Sequence, residues 1–280
     1  MARTARHLTL LLDVTAGPDP LALGVAHDLR LPAARHRQLS VFRVLVLDGH
    51  PLLPTGSAGR PGVHRVADAL ADGGARVERH TTLLPDLAEA ATPSPQLLLR
   101  GTAARLPVDA YEQIRALAAG LGADDRSRGA ARLHGMVFSH SYWIVANDRR
   151  ELHRHGWRQP FAEFDAVGCP VTPTPAFPHD HNPDLPERRI DIDGVAYPYL
   201  DHLVWAGPAT MPGLSATAVP AGRSPDGLPV GVQLTGPVFE DRTPLRLAEL
   251  LEPRIGGCQA PQQVAPPTWI HTRGPLARSP

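Results

Sequence analysis

Apolar positions along this chain follow two different periods. Leu8, Leu11 and Leu12 recur at helical spacing, and Gly17-Pro18 stops the helix this predicts over residues 4–15. Val41–Asp48 (VFRVLVLD) is dense in aliphatic and β-branched residues and predicts a buried strand. A helical pattern over 61–72 ends at Gly73-Gly74, and Ala75–His80 predicts a second short strand. Strand, helix and strand in succession make a βαβ unit, which implies a parallel sheet.

Beyond it, residues 84–135 read as helix, interrupted near Pro93-Ser94-Pro95 and around 120–130. A long helix over 141–164 carries Trp143, Trp157 and Phe161, and Ala166–Val171 is a short buried strand. Proline crowds Pro170–Pro186, so 172–198 is expected to be a long, mostly irregular loop. Leu214–Val219 and Pro229–Leu234 are strands around a turn at Pro225-Asp226-Gly227, and Pro244–Glu252 is a closing helix. No internal repeat or linker interrupts residues 1–255, which are expected to form one domain; residues 256–280, rich in Pro and Gln, are expected to be a loosely ordered tail.

With 42% hydrophobic and 20% charged residues, the chain has the composition of a globular α/β protein. Its 28 basic and 28 acidic side chains cancel, so no field draws it to nucleic acid or to an anionic membrane. No stretch approaches the ~20 apolar residues that span a bilayer, and Asp13 cuts the first apolar run too short for a secretory core. Cys169 and Cys258 make a poor disulfide framework, which points to a reduced, cytoplasmic setting with Cys169 acting as a small buried hydrophobe. Every basic residue is arginine; there is no lysine. A guanidinium does not give up its proton in a protein, so it cannot replace a lysine that must accept one.

The search for chemistry yields few candidates. No G-x-S-x-G elbow occurs, and Gly56-Ser57-Ala58-Gly59 reads as a surface loop. His153-x-His155 and His179-Asp180-His181 are closely spaced but lack an evident third ligand, so neither a metal nor another cofactor is expected. The strand ending at Asp48 is followed by Gly-His-Pro, not by a phosphate-binding glycine turn. Two stretches stand out: FDAVGCPVTPTPA, where a strand runs into a rigid loop presenting Thr172, Pro173 and Thr174, and WAGPATMPG, where Trp205 precedes Gly207 and Pro208. Small residues beside a large aromatic suit either one wall of a ligand pocket or core packing with rigid turns.

These stretches resemble the carboxy-terminal part of the amidase signature family. FDAVGCPVTPTPAF is similar to its YD-apolar-CP-x-x-PTPA segment, and WAGPATMPGLSATAVPAG with GLPVGVQLTGP is similar to its ending. MARTARHLTLLLDVTAGPDP resembles the family's internal GPMARTAxDLALxLDvxAGpD. The resemblance covers Met1 to about Glu252. It implies an α/β fold, a mixed sheet flanked by helices, incomplete because the amino-terminal strands are missing. It implies amide hydrolysis by a serine nucleophile, a bridging serine and a lysine base, none of which can be assigned here. The expectation is therefore a fragment inactive alone that gives one pocket wall for a small carboxamide: Thr172, Pro173, Thr174, Trp205, Gly207 and Pro208, with Trp143. Gln233, Gly222 and Gly227 are expected to be structural. The missing segment or a second copy is the expected partner. The alternative is a non-catalytic binding protein, or a pseudogene product, derived from an amidase.

Overall fold

The computed structural model describes residues 1–19, 21, 27–91, 93–122, 125, 127–183 and 187–260. The tail expected over 256–280 lies outside the described residues from 261 onward, as do parts of the break expected around 120–130. A first helix, α1 (Ala5–Thr15), is capped by the Thr4 hydroxyl, which accepts from the His7 N–H. Strand β1 (Arg43–Val46) leads through a long turn into α2 (Arg60–Asp72) and then β2 (Arg76–Glu78), and the two strands pair in parallel. The predicted βαβ unit is therefore present. Its first strand is shorter than expected, because Leu39–Val41 winds into a 3₁₀ turn.

The helical region resolves into α3 (Leu87–Ala90), α4 (Pro93–Ala103), α5 (Val108–Ala119) and α6 (Arg128–Val137). The long helix expected over 141–164 is in fact two, α7 (His140–Gly156) and α8 (Arg158–Glu163), joined at Trp157. Pro160 explains the break: it has no N–H to offer the Gly156 carbonyl one turn back.

Next come β3 (Ala166–Pro170), the hairpin β4 (Arg189–Ile192) and β5 (Val195–Pro198), a 3₁₀ segment over Tyr199–Trp205, α9 (Gly207–Thr210), β6 (Ser215–Arg223), β7 (Pro229–Gly236) and α10 (Arg242–Ile255). The hairpin corrects the expectation that 172–198 is almost wholly irregular. Ile190 and Ile192 alternate with exposed partners, and Asp193-Gly194, both at positive φ, make the tight turn that right-twisted strands favour.

The main sheet runs β2-β1-β3-β7-β6, parallel as far as β3 and antiparallel beyond it. Helices flank both faces. Val44, Val46, Val232 and Leu234 pack with Val66 and Leu70 of α2 and with Leu247 and Leu251 of α10. On the opposite face, Leu45 and Val167 pack with Leu87, Trp157 and Phe161.

The amino-terminal end of β1 and β3 is a fastening point. Asp165 accepts from the Arg43 N–H at 2.8 Å and faces His36 at 3.1 Å and Arg35 at 3.5 Å. Arg35 also forks onto Glu240 through two hydrogen bonds of 2.6 and 3.0 Å. Asp165 and Glu240 thus hold elements together far from the loops that leave the other end of the sheet.

Candidate functional site

Loops leave the carboxyl ends of β1 and β3 side by side, the usual place for a ligand in a sheet of this kind. The Pro173 carbonyl accepts from the Gly56 N–H at 2.8 Å, so the turn after β1 is tied to the loop after β3. A Cβ at Gly56 would lie 3.1 Å from that oxygen, a tight contact that glycine avoids. The hydroxyl of the exposed Thr172 donates to the Thr174 carbonyl at 2.7 Å. Thr174 Oγ1 and, across the Gly56–Pro173 tie, Thr55 Oγ1 are buried without a hydrogen-bond partner.

Trp205 is fully buried, its ring edge-on to His50 at 5.3 Å, with its indole N–H unpartnered. One side chain ties this segment to the proline loop. Gln233, in β7, donates to the Trp205 carbonyl at 2.6 Å and to the Pro170 carbonyl at 3.0 Å. Gly207 and Pro208 follow directly, buried in α9. They line a cavity of about 80 Å³ together with Leu87, Leu203, Val204 and Arg132. Arg132 of α6 donates to Asp201 at 2.8 Å; the aspartate side chain is wholly buried and that of the arginine 14% exposed. A largely apolar cavity with one guanidinium in its wall, fixed by its ion pair with Asp201, can accept an apolar group and orient a polar end.

Of the seven residues singled out in the sequence, Gly207 and Pro208 line this cavity, whereas Thr172, Pro173, Thr174 and Trp205 do not; the proline loop and the Trp205 segment are linked through Gln233. Trp143 is drawn into neither: it lies on the flank of α7, 38% exposed and stacked on His140 at 5.8 Å. Arg132 and Asp201 were missed. Neither carries a sequence signal, because 69 residues separate them and only packing of the 3₁₀ segment against α6 makes them a pair.

Several serine side chains take part in local hydrogen bonds. The exposed Ser57 donates its hydroxyl proton to Asp193 at 2.7 Å, and its N–H reaches the same carboxylate, which holds the Asp193 carboxyl below the usual range. Ser139 shares a hydrogen bond with Ser141, and Ser215 donates to the Pro237 carbonyl. His64 pairs with Asp48 at 2.9 Å, drawing that carboxyl below its ordinary value, while His153 accepts from the Trp157 indole N–H. Among the described residues, no group of three or more His, Cys, Asp or Glu side chains could hold a metal ion, and no helix is long and apolar enough to cross a membrane. His179 and His181 lie ring to ring at 5.8 Å on an exposed loop. Cys169 and Cys258 are free; burial pushes the Cys169 thiol up to about 12.

A mixed sheet between helix layers is the architecture of solved amidase-type enzymes. One of these, the A subunit of glutamyl-tRNA(Gln) amidotransferase from Thermotoga maritima, superposes with a TM-score of 0.63 over 90% of this chain and 51% of its own, at 18% identity. The amidase family model matches residues 1–245, and the chain belongs to the amidase family. Among curated relatives, the A subunit of glutamyl-tRNA(Gln) amidotransferase from Bartonella bacilliformis is 36% identical over 153 residues, 53% of this chain and 29% of that protein. The corresponding protein of a Roseiflexus species is 30% identical over 267 residues, covering 89% of this chain and 52% of the relative. The chain thus spans about half the length of even this more extensively aligned relative.

Proposed function

We propose that this chain forms the carboxy-terminal part of an amide hydrolase or amidotransferase and contributes one wall of its substrate pocket, without catalysing the reaction alone. The observation that carries this reading is the cavity of about 80 Å³ lined by Gly207, Pro208 and Arg132, whose guanidinium is paired with the buried Asp201. The apolar side takes the hydrocarbon part of a small carboxamide. The N–H edge of Arg132 donates to an oxygen of the substrate, while Asp201 fixes the guanidinium in place.

Chemistry needs more than a pocket. Cleaving an amide through a serine requires a group that takes the hydroxyl proton and returns it to the departing amine. These 280 residues include no lysine, and the serines described above hydrogen-bond to a carboxylate, another hydroxyl or a backbone carbonyl. A serine–lysine segment from elsewhere is thus the proposed partner, by analogy with relatives whose names mark them as one component of a multi-subunit amidotransferase.

Calorimetric titration with butyramide tests the pocket. Saturable binding that disappears in Ala91→Leu, a substitution that adds bulk to the cavity lining, supports it. Equal binding by both proteins, or no binding by the wild type, refutes it.

A further inference from the structure

The two wall segments are far apart in the chain, and backbone pairing alone does not fix their spacing. Pro170 ends β3, and Trp205 ends a 3₁₀ segment outside the sheet. Each turns a carbonyl toward the same point, and Gln233 fills it. Gln233 is only 8% exposed, and its backbone is locked between Cys169 and Ala218 in the middle of the sheet. Its amide nitrogen carries two protons, and two carbonyl oxygens lie at 3.0 and 2.6 Å.

From this geometry we infer that Gln233 is a positioning residue of the site. It sets the distance between the Thr172–Thr174 loop and the Trp205–Pro208 wall, so that loosening one loosens the other. The inference rests on the reading that these segments form the pocket. No other neutral side chain of this length offers two donors on one atom. Glutamate would aim acceptors at two acceptors, leucine would leave both carbonyls buried and unpaired, and asparagine, one methylene shorter, would reach one at most.

Hydrogen exchange of the purified chain, compared with Gln233→Leu and Gln233→Asn, tests the coupling. In both variants the amides of residues 171–174 and 206–210 are expected to exchange together, at least about ten-fold faster, each hydrogen bond lost being worth about 1.4 kcal/mol. The amides of α2 and β2 should keep their protection. Butyramide affinity should fall by a similar factor. If Gln233→Leu does not fold, Gln233→Asn carries the test. Unchanged exchange in both segments, faster exchange in only one, or a uniform rise across the fold would overturn the assignment. Should the wild type bind no butyramide, the pocket reading fails while the exchange result still decides the role of Gln233.

Discussion

Arg132 and Asp201 form an ion pair at 2.8 Å whose acidic member has no solvent exposure at all. Taking a carboxylate out of water is costly unless a partner and hydrogen bonds compensate, and removing one member strands the other. Arg132→Leu is therefore expected to destabilise the fold by about 3–5 kcal/mol. Arg132→Leu with Asp201→Leu should recover much of that loss, because the wholly buried carboxylate is then removed together with its arginine partner. Urea denaturation of the wild type and both variants measures the difference; a double variant no more stable than Arg132→Leu would show that the pair is not the source of the loss.

His153 provides a pH-dependent test. It accepts from the Trp157 indole at 3.2 Å, and burial lowers its affinity for a proton, opposed by Glu89 and Asp86. A histidine that resists protonation when folded binds fewer protons than the same histidine unfolded. Its contribution is fully present above the unfolded value near 6.5 and declines as pH falls below it. Melting temperature should drop between about pH 6.5 and 5 in the wild type and less steeply in His153→Gln. Parallel curves would count against the coupling.

The two thiols should separate cleanly. Cys169 is buried with its titration pushed up to about 12, whereas Cys258 is exposed. A disulfide-exchange reagent at about pH 8 should modify one thiol per native chain and the second only after denaturation. Rapid modification of both would mean that β3 is not packed as described.

Thr235 is expected to tolerate loss of its hydroxyl. It is 1% exposed, and Oγ1 has no partner. Replacing an unpaired buried polar group by a methyl of similar shape should leave stability unchanged or raise it by up to about 1–3 kcal/mol. A clear fall in the melting temperature of Thr235→Val would reveal a partner for that oxygen.

What the sequence made legible was local. Strands β1, β3, β6 and β7 are continuous apolar or alternating runs, and helix ends are marked by Gly73 and by Gly256, which sits at positive φ. The wall segments were visible because proline and glycine cluster beside Trp205 and Thr172. Residues whose importance depends on long-range packing were not. Arg132 and Asp201 look like ordinary surface charges until α6 meets the 3₁₀ segment. Gln233 reads as a structural strand residue, and the structure adds which two carbonyls it joins. The hairpin at Asp193-Gly194 was legible in principle, but the preceding prolines masked it.

Ammonia release from butyramide by the purified chain, freed of host amidases, tests the central claim most directly. The expected rate is indistinguishable from buffer. Sustained release abolished by converting one serine of this chain to alanine would contradict the claim, since that serine would then have found a base among these 280 residues.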